Sequence, residues 1–398
     1  MFIKTYCVKN MSIKIIRTST VPGSLNNFCK NLLRDLQEQE GYEVVVVSSP
    51  GEALYEIKKR ESVNVYAVSM ERHISPFKDL ISLVNLIKVF HKEKPVMVHS
   101  ITPKAGLLSM MGAWICNVPI RLHTFTGLVF PTANGLKQKI LILADKITCA
   151  CATHIMPEGE GVKNDLLKFK ITKKPLKVLG YGNIRGINLE RFNPKLPEVI
   201  NEAGKIRKDG IFTFIFIGRL VRDKGINELV QAFKRLNNEY PHSRLLLVGR
   251  KEPNLDPLKS ETLIEIERNP AIEAVGPQKD VRPWLLASDA FVFPSYREGF
   301  PNVVIEAGAM GLPSIVTGIN GSREIIIEGK NGVIIPSKNA DALYAKMKAF
   351  VKSENEIKIL GANARPLIAE RYEQSFVRQC LKDYYKEILN NPLAELKR

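Results

Sequence analysis

Two Rossmann-like, doubly wound α/β domains facing a cleft are the fold class this sequence predicts, and three observations predict it. Short Val- and Ile-rich runs alternate with amphipathic segments over most of the 398 residues, which is the pattern of strands joined by crossover helices in a parallel sheet. Runs such as "YEVVVVSS" and "FTFIFIG" are apolar at successive rather than alternate positions, as in strands covered on both faces. The pattern loosens once, around 185–210, and then restarts, and a chain of this length favours more than one domain.

The elements follow in order. "IKIIR" (Ile13–Arg17) is the first strand, "SLNNFCKNLLRDLQEQ" its crossover helix with Ser24 as cap, and "YEVVVVSS" the second strand. "VNVYAV", "VMVHSI", "IRLHTF" and "THIMP" are further strands, with helices over about 76–92, 103–114 and 136–150. "RGINLERFNPKLPEVINEAGKIRKDG" is rich in Pro, Gly and charge and reads as a linker. Then "FTFIFIGRL", "SRLLLVGR", "AFVFPS" and "PSIVTG" each give a strand followed by a helix, and 338–392 is helical only. The division is a first domain over 1–190, a linker over 191–210, a second domain over 211–375, and a last helix over 376–398, placed either with the second domain or back on the first. Ligands of doubly wound sheets sit beyond the carboxyl ends of the strands. Loops 18–24, 99–104, 123–135, 218–225, 249–253 and 295–303 are therefore expected to carry the chemistry.

Bulk composition removes several classes. Hydrophobic residues at 45% and charged residues at 25% are ordinary for a soluble globular chain. The longest apolar stretch, Ala105–Ile120, contains Asn117 and Pro119 and falls short of the roughly 20 residues a spanning helix needs. "MFIKTYCVKN" has no apolar core of signal-peptide length, and no function is assigned to the first twelve residues. Cysteines at 7, 29, 116, 149, 151 and 380 form no C-x-x-C pair and no disulfide framework, which fits a reducing cytoplasm. The formal charge is +17, and residues 1–200 hold 28 Lys and Arg against 16 Asp and Glu, a net +12. A basic first half points to an anionic partner: a phosphorylated substrate, an anionic membrane surface or nucleic acid. Nucleic acid fits least, because Trp114 and Trp284 are the only tryptophans and no basic stripe is interleaved with aromatics.

Two motifs carry chemistry. "GRLVRDKG" (Gly218–Gly225) follows a strand directly, and Arg219 and Lys224 stand between that strand and the next helix. Two cations at a helix N-terminus make a phosphate site. The loop is not a P-loop, since G-x-x-x-x-G-K-[ST] is absent. "REGFPNVVIEAGAMGLP" (Arg297–Pro313) places Glu298 on a strand-end loop and Glu306 about one turn into a helix that Pro301 opens and Gly311 ends. The amides at 302–304 form a second positive helix terminus. Glu306, among Ile305, Ala307 and Ala309, needs a partner to be tolerated there. A glycosidase reading of two carboxylates does not explain adjacent phosphate-binding features. Carboxylates gripping the hydroxyls of a nucleotide sugar do.

"GRLVRDKG", the E-x7-E of "EGFPNVVIE" and the later "GSREIIIEGKNGVIIP" together resemble the family-4 retaining glycosyltransferases of the GT-B fold, and the resemblance covers nearly the whole chain. The first half ("HSITPKAGLL", "HTFTGLVF") is most similar to bacterial members that build surface polysaccharide or lipid-linked oligosaccharide. The resemblance implies that Arg219 and Lys224 bind the donor diphosphate and neutralise the leaving group, and that Glu306 holds the ribose. Glu298, with the amides of Gly299 and Phe300, contacts the donor sugar, and amides near Asn302, Val303 and Val304 hold the phosphates. Gly218 turns the loop, Gly249, Arg250 and Val275 line the base pocket, and Gly23 lets the first-domain loop approach the diphosphate. Many relatives carry a histidine before the glycine of the "HTFTG" loop. Here that position is Thr126 and the histidine is His123, so either Thr126 meets the sugar or His123 is a histidine satisfied at a strand end. Retaining members are usually given front-face attack, with the departing phosphate oxygen accepting the acceptor's proton. No D-x-D is present, and neither a metal nor any other cofactor is expected, because Arg219, Lys224 and helix termini can stabilise a departing diphosphate. Arg72, His73 and Lys104 are candidates for the phosphate of a polyprenyl-diphosphate-linked acceptor, with basic helices on an anionic membrane or as plain surface charge. The expected activity is transfer of a hexose or N-acetylhexosamine from a nucleotide sugar, UDP-linked, at the cytoplasmic face. A nucleotide-sugar epimerase or phosphorylase of similar fold is the alternative.

Overall fold

The computed structural model describes residues 12–71, 73, 75–252 and 256–391. They form two compact units: one draws on described residues within 12–158, 162–179 and 378–391, the other on those within 159–161 and 180–377.

The first unit is a six-stranded parallel sheet of β1 (Lys14–Thr18), β2 (Glu43–Ser48), β3 (Asn64–Ala67), β4 (Met97–Ile101), β5 (Ile120–Phe125) and β6 (His154–Pro157). Its spatial order is β3-β2-β1-β4-β5-β6. Ile15, Ile16, Val44 through Val47, Met97 and Val98 are fully buried, as strands wrapped on both faces require. The crossover from β1 to β2 departs from the single helix read from sequence: it is two helices, Pro22–Phe28 and Leu32–Glu38. Asn31 adopts φ 63° at the start of the second, a left-handed conformation that keeps the two from continuing as one helix. Ser24 lies inside the first helix, which Pro22 opens.

The second unit repeats the plan with β7 (Phe212–Ile217), β8 (Ser243–Val248), β9 (Ile272–Gly276), β10 (Ala290–Phe293), β11 (Ser314–Thr317) and β12 (Gly332–Ile335), ordered β12-β11-β10-β7-β8-β9. β9 and β12 are edge strands not read from the sequence. β9 is short and half exposed, and it carries Glu273, which binds Arg244 at 2.6 Å, so it presents no apolar run. Within 191–210 a helix forms, Pro197–Ile206, with Val199 and Ala203 buried. Its apolar residues recur at helical spacing, a signal masked by flanking Pro and Lys.

The last helix, Gln374–Asn390, contributes to the first unit from Arg378 onward. Arg378 donates to Asp35 at 3.0 Å. The Tyr385 hydroxyl accepts from buried Arg17 at 2.7 Å and meets His99 Nδ1 at 2.6 Å. The other nitrogen of His99 reaches the Thr124 hydroxyl at 2.7 Å, so one polar chain crosses β1, β4 and β5. No helix among the described residues is long and apolar enough to cross a membrane.

Candidate active site

In each sheet the strand order reverses once, between β1 and β4 and between β7 and β10. Such switch points open a crevice at the carboxyl edge where loops diverge. In the second unit the two loops there are those after β7 and β10, the same two that hold both chemical motifs.

Glycine geometry shapes the first of these loops. Gly225 has φ 72°, and a Cβ on it would lie 2.1 Å from the Pro294 carbonyl oxygen. Gly249 has φ 151°, and its Cβ would fall 1.7 Å from the Gly218 oxygen. Backbone can approach backbone this closely only without side chains. Gly218, Leu220 and Gly249 then donate in turn to Val248, Arg250 and Gly276 at 2.9–3.0 Å, carrying the zipper beyond the ends of β7 and β8.

Lys224 sits in a tight turn before helix Ile226–Glu239. Its ammonium pairs directly with Glu298 and lies 5.5 Å from the centre of the Phe293 ring. Glu298 also accepts from Ser295 Oγ at 2.9 Å, and the Tyr296 N–H donates to Asp223 O at 2.8 Å. The two motif loops therefore form one bonded unit, with the cation of one against the carboxylate of the other. Arg219 reaches out to Glu252 at 2.8 Å, and Arg250 meets the same carboxylate at 3.1 Å. These bonds, the Arg219 one first, hold the Glu252 carboxyl below its ordinary range.

Helix Asn302–Ala309 follows, with Pro301 at its N-cap. The Val304 amide is taken by Pro301 O at 3.1 Å. Those of Asn302 and Val303 belong to the first turn, which has no intrahelical acceptor. Glu306 is 12% exposed and pairs with Arg185 at 2.9 Å. Burial raises its carboxyl above the ordinary value, and the Arg185 cation opposes that rise. Sequence reasoning called for a partner without finding it. Arg185 lies in "GNIRG", at the start of the Pro-, Gly- and charge-rich stretch. Asn183 organises that loop: its side-chain oxygen accepts from the Arg185 and Gly186 amides at 3.0 and 2.6 Å, and its amide nitrogen donates to Asn302 at 3.0 Å. An Asn two residues before an Arg and three before a Gly is an Asx-turn signal that could have located it. Val275, half buried, offers its carbonyl to Gln278 at 2.8 Å.

The first unit holds the remaining candidates. His123 is 1% exposed, accepts or donates at Ser100 Oγ at 2.8 Å, and meets the edge of Phe125 at 4.5 Å between ring centres. Burial pushes its pKa down to about 3, so it is a neutral interior histidine at physiological pH. Of the two sequence alternatives, this geometry matches the satisfied histidine rather than a sugar ligand. Thr126 lies just past β5 and is half buried. Lys104 is committed to Asp79 in an ion pair whose side chains are 12% and 17% exposed, which makes it a poorer phosphate ligand than a free lysine. His73 is exposed, and Arg72 lies outside the described residues. Gly23 has open space where a side chain would stand. At the β1/β4 switch point, in the loops 18–24 and 99–104 expected from sequence, Thr102 takes φ 72°, and its hydroxyl accepts from the Thr20 amide at 3.0 Å and meets the Thr20 hydroxyl at 2.8 Å. A β-branched residue at positive φ is strained.

The comparisons with known proteins agree with this construction. The family described as "Glycosyl transferases group 1" matches residues 200–366, and "Glycosyl transferase 4-like" matches residues 22–157. The chain is 33% identical over 352 residues to the capsular polysaccharide biosynthesis glycosyltransferase CapM of Staphylococcus aureus, covering 88% of this chain and 91% of that one. It is 29% identical to the UDP-Gal:alpha-D-GlcNAc-diphosphoundecaprenol alpha-1,3-galactosyltransferase of Escherichia coli, over 83% of this chain and 86% of that one. Among solved structures, HepE of Anabaena in complex with UDP superposes with a TM-score of 0.76 at 15% identity, over 95% of this chain and 100% of that one. With two Rossmann-like units, a basic loop at the switch point and an E-x7-E corner in place, the chain belongs to the group 1 and 4-like glycosyltransferases and is a glycosyltransferase of the GT-B fold.

Proposed function

We propose that this enzyme moves a hexose or N-acetylhexosamine from a UDP-linked sugar to a lipid-linked sugar acceptor, with retention at the anomeric carbon, in surface glycan synthesis at the cytoplasmic face of the membrane. One observation carries the donor half. At the β7/β10 switch point Lys224, Glu298, the first-turn amides of Asn302 and Val303, and Glu306 follow one another along a single strand-turn-helix corner. That sequence of cation, carboxylate, amides and carboxylate matches diphosphate flanked by sugar and ribose hydroxyls. The relative named for UDP-Gal and a diphosphoundecaprenol acceptor supports the choice of donor and acceptor class.

In this reading Arg219 and Lys224 meet the charge that develops on the leaving diphosphate, so no resident metal is called for. Glu298, with the Gly299 and Phe300 amides, orients the sugar. Glu306 exchanges Arg185 for the ribose hydroxyls or shares itself between them. Gly249, Arg250 and Val275 border the base. No protein group is assigned as nucleophile or base, and the acceptor proton passes to the departing phosphate oxygen.

The test is a thermal-shift screen of UDP, GDP and their sugars, followed by NMR of the product anomer. UDP ligands are expected to raise the melting temperature by mass action, a chelator to leave transfer unchanged, and the product to be α from an α-linked donor. A β product would overturn retention, and loss of activity on chelation would overturn the metal-free reading.

A further inference from the structure

One face of the first unit has no role in the donor site. Helices Pro76–Glu93, Pro103–Ile115 and Gly135–Cys151 follow β3, β4 and β5. The connections from β3 through β6 all advance in one direction across the sheet, so right-handed crossovers lay the three helices on one side. Pro103–Ile115 packs between the other two.

Their outward surfaces are apolar. On the first helix Phe77, Leu80, Ile81 and Val84 are exposed, Phe77 at 86%. On the third Leu136, Ile140 and Leu143 are exposed, Leu136 at 73%, and on the middle one Trp114 is exposed at 58%. Spacings of three, four and seven make each set one stripe. These stripes are not the core faces. The first helix buries Leu86, Val89 and Phe90 inward, and the third buries Thr148 and Cys149. Large apolar side chains exposed in stripes along two helices, on a chain that also has a complete core, mark an interaction site.

The charges among the stripes have one sign. Lys88, Lys92, Lys137, Lys139 and Lys146 are exposed. The acids of the same helices are turned away: Asp79 to Lys104, Glu93 to Lys14 and Tyr66, and Asp145 into the interior. Lys78 pairs with Glu71 at 2.7 Å, and Lys92 has Glu93 nearby. A second copy of this face would oppose lysine to lysine, whereas anionic headgroups over acyl chains satisfy both the charge and the apolar stripes. The stripes of the first and third helices begin at their N-termini, hence at the carboxyl edge of the sheet, where ligands of this fold gather.

We propose that this three-helix face docks on an anionic lipid bilayer, with Phe77, Leu80, Leu136 and Ile140 entering the headgroup boundary and the lysines meeting phosphates. The inference deepens the reading of a lipid-linked acceptor and rests on it for its purpose: it sets the carboxyl edge of the first sheet beside the layer that carries the acceptor.

The experiment is co-sedimentation of the full chain with vesicles of phosphatidylcholine alone or mixed with phosphatidylglycerol. The variants are Phe77→Ser with Leu136→Ser, and Lys137→Glu with Lys139→Glu. A charge-matched control is Lys205→Glu with Lys358→Glu, both exposed in the second unit. Binding is expected only with phosphatidylglycerol, weakened roughly tenfold or more by either face variant and unchanged by the control, with melting and UDP-induced shift as in the parent. Equal binding by the face variants, equal loss in the control, or a parent dimer that the face variants dissolve would each overturn the proposal. Vesicle binding without sugar transfer would sink the functional reading and leave the docking face standing. Transfer to a water-soluble acceptor without vesicle binding would do the reverse.

Discussion

Arg185 donates to Glu306 at 2.9 Å across 121 residues of sequence, and this pair explains how a carboxylate is kept on the apolar helix Asn302–Ala309. Arg185→Ala leaves Glu306 buried without its bonded partner, with only the weaker field of Arg191, and is expected to cost about 3 kcal/mol of stability and to abolish the UDP-induced shift. Arg185→Lys retains a charge but not the planar fork and should fall between. A double-mutant cycle with Glu306→Gln is expected to show coupling of about 1 kcal/mol or more. An undiminished UDP shift in Arg185→Ala would show that the pair has no part in the nucleotide site.

Lys224 and Glu298 share one ion pair, yet their expected roles separate. Lys224→Ala should lower kcat about 10²- to 10³-fold, the size of effect seen when a group that stabilises developing charge is removed, with chemical quench as the measurement. Glu298→Ala should leave UDP affinity near the parent's while weakening binding of the UDP-sugar. Calorimetry with both ligands decides this, and equal loss for UDP and UDP-sugar would move Glu298 from the sugar to the diphosphate.

Gly225 and Gly249 are positions around the two motif loops where backbone meets backbone at positive φ. Alanine at either is expected to lower stability by about 3 kcal/mol and to disturb the nucleotide site with it. Gly23→Ala is the informative contrast, since no atom lies within 4 Å of its Cβ. It should melt no lower than the parent but transfer sugar more slowly. Normal transfer by Gly23→Ala would remove that glycine from the site.

Burial raises the Asp145 carboxyl to about 7. Its folded value lies above its unfolded one, so the folded state holds the extra proton between about 4 and 7. The contribution of Asp145 to stability is therefore full below about 4 and is lost as pH rises to about 7. Buried His123 and His154, pushed down to about 3 and about 4, act oppositely: their contribution is present above about 6.5 and is lost as pH falls. The difference between Asp145→Asn and the parent isolates the carboxyl. The variant should gain melting temperature at pH 8 and little or none near pH 4. A gain that does not depend on pH would assign the effect to packing.

Local physics made much of this protein legible. Runs such as Val44–Val47 and Phe214–Ile217 can only be strands covered on both faces, and their alternation with amphipathic segments gives the doubly wound plan without any contact being known. The Gly218–Gly225 loop and the E-x7-E corner were legible as structure because each is one continuous stretch in which strand, turn and helix start follow directly from residue order.

Distance along the chain decided the rest. The partner of Glu306 is an arginine in a loop that composition marks only as irregular. His123 is silenced by burial against Ser100 and Phe125, one of the two readings that its position at a strand end leaves open. Lys104 looks like a free cation until Asp79, 25 residues earlier, is seen to hold it. In each case the sequence supplies a charge or a titratable group, but its energy depends on solvent exposure and on what lies within a few ångströms. Those are properties of packing between segments remote in sequence, and they exist only once the chain has folded.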